Sequence, residues 1–146
     1  MGPDPSKEPP KTQVIVFRHT SGYSIDNYTS YCVDFNYESF DPGNNFNLDT
    51  DRYIAPIDGT YLVSGSLVFS DSVYGDKYHL KISVDGNIRG EVVLYAIDSY
   101  TSISIVQIIQ LEAENFVQLR VRQYNPGYRE IYGGINECTY LSISLI

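Results

Sequence analysis

Apolar residues along this chain recur at every second position, the period of strands half-buried in a sheet and not of helices. Turn signals interrupt them about every ten residues. No segment keeps helical spacing, so the pattern predicts an all-β chain. The clearest alternation sets Tyr61, Val63, Gly65, Leu67 and Phe69 against Leu62, Ser64, Ser66 and Val68, just after Asp58-Gly59. Tyr78, Leu80, Ile82 and Val84 alternate with His79, Lys81 and Ser83 and run into Asp85-Gly86-Asn87, the composition of a hairpin-closing turn. The partner strand is expected from about Ile88. Further strands are predicted over Val92 to Ala96, Ile103 to Leu111, Phe116 to Arg122 and Thr139 to Ile146, with shorter ones over Val14 to Arg18 and Val33 to Phe35. The run Ile105-Val106-Gln107-Ile108-Ile109 breaks the alternation and predicts a bulge or burial on both faces. Eight to ten short strands favour a single sandwich or jelly roll.

The 146 residues suit one domain. Residues 1–12 contain four prolines and almost nothing to bury, so they read as an extended linker before a domain over 13–146. That start also lacks the apolar core of a secretory signal. No stretch approaches the roughly 18 consecutive apolar residues of a spanning helix, which argues against membrane insertion. The net charge of −8 would repel a phosphate backbone unless a local basic patch existed, so nucleic acid is not expected as a partner. Fourteen tyrosines and no tryptophan give aromatic surface that can be half-buried with a hydroxyl left for a partner.

Phe35, Asp41, Phe46, Tyr53, Gly59 and Tyr61 stand at the intervals of a known signature. With the central stretch Arg52 to Val63, the segment Leu111 to Val117 and the last strand Cys138 to Ile143, the chain from about Gln13 onward resembles the C1q-type globular head of the tumour-necrosis-factor-like superfamily. It departs from the usual pattern at Tyr53, Val63, Gly65, Glu114-Asn115 and Ile143. The resemblance implies a ten-stranded jelly-roll β-sandwich that assembles as a homotrimer and binds targets, protein or carbohydrate, without transforming them, at an extracellular or particle surface. Two rival roles remain beside it: a structural trimerisation knob of a virion, phage or spore-surface fibre, and the C-terminal head of a cytoplasmic protein.

Several residues are candidates for that work. Leu62, Ser64, Ser66, Val68, Phe116, Gln118, Arg120, Arg122, Tyr140, Ser142 and Ser144 share the non-aliphatic parity of their strands. A face mixing small hydroxyls with aromatics suits a buried subunit interface. If it lay at a trimer axis, Arg120 and Arg122 would need anions or carboxylates to relieve like-charge repulsion. Tyr74, Asp76, Tyr124, Tyr128 and Tyr132 are candidate ligand-loop residues, by the tyrosine-rich composition of adaptable binding loops. No catalytic motif is present, and the two histidines, His19 and His79, belong to none. Glu112 and Glu114 read as a solvated turn. No cofactor is expected, although Asp71 and Asp76, flanking Gly75, supply hard oxygens of the kind that hold calcium. Cys32 and Cys138 lack metal spacing and are either one disulfide or two thiols. Gly59 is expected at positive φ in its Asp-Gly turn.

Overall fold

The computed structural model describes residues 10–19, 21–134 and 138–146. Most of the expected linker, residues 1–9, lies outside them. Among the described residues thirteen strands form in chain order: β1 Val14–Phe17, β2 Tyr23–Ile25, β3 Ser30–Cys32, β4 Tyr37–Phe40, β5 Phe46–Asn47, β6 Arg52–Ile54, β7 Gly59–Phe69, β8 Lys77–Val84, β9 Asn87–Tyr95, β10 Thr101–Leu111, β11 Phe116–Gln123, β12 Arg129–Ile131 and β13 Tyr140–Leu145. Two five-strand rows carry the architecture, β10-β7-β13-β1-β4 (sheet A) and β5-β6-β11-β8-β9 (sheet B). The short β12 continues from the end of β7 and pairs β2, and β3 pairs β11. Every pairing between these strands is antiparallel, and apart from β5–β6 and the β8–β9 hairpin the paired strands are not consecutive in sequence, as in a jelly roll.

The alternation in the sequence is the alternation of the sandwich. Tyr61, Val63, Leu67 and Phe69 of β7 face Tyr78, Leu80 and Ile82 of β8 and Val117, Leu119 and Val121 of β11 in one core, all fully buried. Phe69 stacks on Tyr78 with ring centroids 3.8 Å apart. Gly65 lies on this inner face, where an added Cβ would stand 2.6 Å from Leu119 Cδ1 and 2.9 Å from its Cδ2. The missing side chain is the space that Leu119 of the opposite sheet fills. Gly65→Ala should therefore overpack the core and cost about 1–3 kcal/mol in denaturant unfolding. An unchanged midpoint would mean that Leu119 steps aside freely.

The β8–β9 hairpin closes through Asp85 and Gly86 at φ 51° and 84°, the left-handed pair of a type I′ turn. Residues expected as separate strands near Ile88 and Val92 form the single strand β9. Val33 to Phe35, expected as a strand, is irregular. Its backbone bonds go elsewhere, Val33 N–H to Leu119 O and Phe35 N–H to Asp51 Oδ1, while Val33 and Phe35 bury their side chains. Gly59 is not at positive φ. Its constraint is steric, because a Cβ there would meet Leu145 Cδ1 at 2.5 Å. The run 105–109 contains no bulge: β10 pairs β7 in unbroken register over all eleven residues. Glu112 and Glu114 are exposed in the turn joining β10 to β11.

Candidate functional site

The signature residues hold the scaffold. Phe35 and Phe46 meet edge to face at 6.0 Å, and Tyr53 meets Tyr61 at 6.1 Å, all four buried. Tyr53 and Tyr61 donate their hydroxyls to Thr12 O and Ile57 O, each at 2.7 Å. The Asp41 carboxylate accepts the backbone N–H groups of Asn45 (2.8 Å) and Phe46 (2.9 Å), closing the loop that delivers Phe46 to the core. Thr12 Oγ1 accepts from Leu145 N–H, so the packed chain already includes this residue.

The outer face of sheet A is the first candidate surface. Register lines its residues up in three cross-strand rows: Val106, Ser64, Ser142, Ile15 and Phe40; Ile108, Leu62 and Ser144; Ser104, Ser66, Tyr140, Phe17 and Tyr37. Val68 continues the face toward Ser102. Within the rows Ser104 Oγ donates to Ser66 Oγ at 3.1 Å, and the rings of Phe17 and Tyr140 meet at 6.3 Å. Val106 is 66% exposed and Ile108 64%, with Leu62, Phe40 and Tyr37 also exposed. Val106, Ile108 and Leu62 cluster at the β10–β7 end of the rows and Phe40 and Tyr37 at the β4 end, with serines between, and exposed apolar clusters of this kind mark interaction sites. Beside it, at the edge where β9 and β10 meet, Leu94, Tyr95, Ile97, Tyr100, Thr101 and Ser102 line a hollow of about 440 Å³. Sequence reasoning missed Val106 and Ile108, expecting a bulge or burial on both faces of β10; their signal was the doubled apolar parity.

Phe116, Gln118, Arg120 and Arg122 do not share this face, contrary to the expectation. All four lie on β11, which pairs β8, β6 and β3, and so stand on the outer face of sheet B across the sandwich. Parity tells which residues of a strand share a side but not which sheet the strand joins. The axis role considered for Arg120 and Arg122 therefore does not follow from the apolar face. Arg120 donates to Ser30 Oγ and Ser30 O, each at 3.2 Å, and Gln118 Nε2 donates to Thr50 O.

The second candidate surface is one end of the sandwich, formed by the β7–β8, β9–β10 and β11–β12 loops. Val73, Tyr74, Ile97, Tyr100 and Tyr128 are exposed there, and Tyr132 packs edge-on against Tyr100 at 6.2 Å. Tyr124 stands apart from this group, since its ring carries Lys77, Arg122 and His79 on the sheet B side. Asp76 is not a free loop carboxylate. It accepts from Arg129 Nε at 2.7 Å and Nη2 at 3.2 Å and from Val73 N–H at 2.7 Å, with its side chain 8% exposed. Burial by itself would raise the Asp76 carboxyl, but the Arg129 and Val73 hydrogen bonds outweigh it and hold the group below the ordinary carboxylate range. Asp71 Oδ1 accepts from Glu130 N–H. Asp71 and Asp76 thus brace loops. Among the described residues no three His, Cys, Asp or Glu side chains are grouped as metal ligands.

Cys32 and Cys138 are separate thiols. Burial pushes the Cys32 thiol up to about 12, with the Asp51 charge adding to it. Asp51 itself is raised to about 7, first by burial and then by Asp34, against the opposing Phe35 N–H bond and Arg18. A carboxyl whose folded pKa exceeds its unfolded value stabilises the fold below about pH 4, and that contribution fades as pH rises through about 7. Asp51→Asn should remove this decline. Asn suits the φ of 53° and can still accept from Phe35. The gain should be roughly 1 kcal/mol at pH about 7.5, after discounting for a half-exposed group, and near zero at pH about 4.5. Equal effects at both pH values in thermal melts would refute it.

No family model matches the sequence, and no curated protein matches it. Solved structures do. The chain is similar to the globular domain of zebrafish complement 1qA protein, at 12% identity and a TM-score of 0.63, over 93% of this chain and 98% of that one. It is similar to Eiger TNF from S. frugiperda at 15% identity and a TM-score of 0.63, over 94% of each chain. Murine APRIL matches at 12% identity and a TM-score of 0.67, over 92% of this chain and 98% of that one. The protein therefore has the jelly-roll fold of C1q and TNF-type heads over nearly its whole length. No helix among the described residues is long and apolar enough to cross a membrane.

Proposed function

We propose that this chain is a homotrimeric, non-catalytic binding head that engages a protein or glycan at an extracellular or particle surface. The observation that carries the reading is the apolar outer face of sheet A, with Val106 and Ile108 standing out from a fully paired strand. Covering it removes apolar area from water at about 25 cal/mol per Å² while its serines remain able to satisfy one another. The complementary surface is the apolar β9–β10 edge with Tyr95, Ile97 and Tyr100. A face and a different edge make a heterologous contact, which closes into a ring when the rotation allows. The fold shared with C1q and TNF-type structures supports three as the number. Such a ring carries three copies of the tyrosine-bearing loop end in one particle, so three weak sites act through effective concentration.

Light scattering tests the premise directly. A mass near three times 16.5 kDa is the expected result, with no loss of mass when a calcium chelator is added. A stable monomer would remove the assembly reading and leave the sheet A face as a ligand site.

A further inference from the structure

In a chain with a net charge of −8, half of its ten Lys and Arg residues lie on one face. Arg52, Lys77, Lys81, Arg120 and Arg122 all belong to the outer face of sheet B, together with His79. Register places His79 beside Arg122 and Lys81 beside Arg120 on neighbouring strands, with Lys77 at the end of the row. Strand geometry makes this row about 14 Å long and about 5 Å wide. Aromatic rings, not carboxylates, hold the cations: Lys77 Nζ and Arg122 Cζ sit 5.1 and 4.8 Å from the centroid of Tyr124, and Arg52 Cζ sits 4.1 Å from that of Phe116. Arg120 is held by Ser30. No ion pair joins these five cations to a carboxylate among the described residues; the one carboxylate that register sets on the row, Glu91 opposite Lys81, is turned to His79 Nδ1 and offsets part of the charge.

Two polar atoms at the centre of the row are also unspent. Arg122 Nε and His79 Nε2 are buried without a hydrogen-bond partner, on residues directly opposed across β11 and β8. A buried guanidinium N–H without an acceptor is costly, and an anionic oxygen between the strands would satisfy it.

We propose that this row binds the sulfate or carboxylate groups of a linear acidic polysaccharide. The backbone of β8 and β11 is already paired on both sides, so recognition here uses side chains alone. That disfavours an extended peptide, which gains most of its affinity from main-chain bonds at a free sheet edge. A nucleic-acid duplex would overrun a 14 Å row onto an acidic surface, whereas a single flexible chain of spaced anions can follow it. Tyr28, edge-on to Tyr124, adds an exposed ring at the end of the row for a sugar face. This rests on the binding-head reading and names its ligand: sheet A faces the assembly, and sheet B presents one such row per subunit outward.

The test is calorimetric titration of the whole chain with a heparin oligosaccharide and with a polygalacturonate fragment, at about 50 mM and about 200 mM salt. Saturable binding of either that weakens with salt is expected, the two probes separating sulfate from carboxylate recognition; neutral dextran should give none. Replacing both Lys81 and Arg122 with Gln should weaken binding about tenfold or more. Lys7→Gln, which removes a charge from the N-terminal segment, should leave it unchanged. The proposal is overturned if neither glycan binds, if the double variant binds as the parent does, or if Lys7→Gln weakens binding equally. Tighter binding of polyglutamate or a single-stranded oligonucleotide than of both glycans would also overturn it. Light scattering on the same samples keeps the two readings apart: a trimer that fails to bind refutes this inference alone, and a monomer that binds refutes only the assembly.

Discussion

Ile108→Asp is expected to turn a three-subunit particle into a folded monomer, reducing the mass by light scattering to about one third. The side chain is solvated in the isolated subunit, so the substitution leaves the core and the β7–β10 ladder intact. Its effect is confined to whatever covers the face. Each interface would lose the burial of an isoleucine, about 2–3 kcal/mol, and gain a carboxylate that must be desolvated, at several kcal/mol more. A closed trimer repeats that penalty three times, so dissociation at micromolar concentration is the expected outcome. Val106→Asp, one step along the same face, should act alike. Leu111→Asp offers the contrast, because Leu111 is buried inside the subunit and its replacement should unfold the chain instead of releasing it. If Ile108→Asp keeps the parental mass, the sheet A face is not the interface.

Much of this face was legible in the sequence, and the illegible part has a definite cause. The parity of Leu62, Ser64, Ser66 and Val68 and of Tyr140, Ser142 and Ser144 follows from the strand period, and β7 and β13 are neighbours, so these seven residues do converge. The same period assigned Arg120 and Arg122 to a side of β11 but carried no information on which sheet β11 joins. Pairing partners far apart in sequence decide that. Val106 and Ile108 misled for a related reason: apolar residues on both faces read as burial, and only the three-dimensional sheet shows that one of those faces is left open. Gly59 was singled out correctly and explained wrongly, since Leu145, eighty-six positions later in the numbering, sets its limit. Asp76 looked like a loop carboxylate because its partner Arg129 lies 53 residues away.

That pairing leads to the second large effect, on stability. Asp76→Ala should cost about 3 kcal/mol, because it leaves Arg129 buried with its guanidinium unpaired and also frees the Val73 N–H. For a domain of this size that corresponds to a fall in Tm of roughly 6–12 °C. Asp76 joins the β7–β8 loop to β12, and Arg129 also donates to Pro126 O and Tyr128 O, so the pair clamps the two segments that present Tyr74 and Tyr128. Loss of the clamp should therefore release those loops, seen as faster amide exchange at residues 72–76 and 126–130 than elsewhere in the chain. The pH dependence has a definite sign. A carboxyl held below its unfolded pKa contributes stability above about pH 4, and that contribution is lost as pH falls through the depressed folded value. Asp76→Asn should flatten this part of the acid limb while retaining the side-chain volume and an acceptor for Val73. In a double-mutant cycle with Arg129→Ala, the coupling should be well above the ~1 kcal/mol ceiling of exposed ion pairs. Coupling near zero, with unchanged exchange in both loops, would mean that hydrophobic packing alone holds this end of the sandwich.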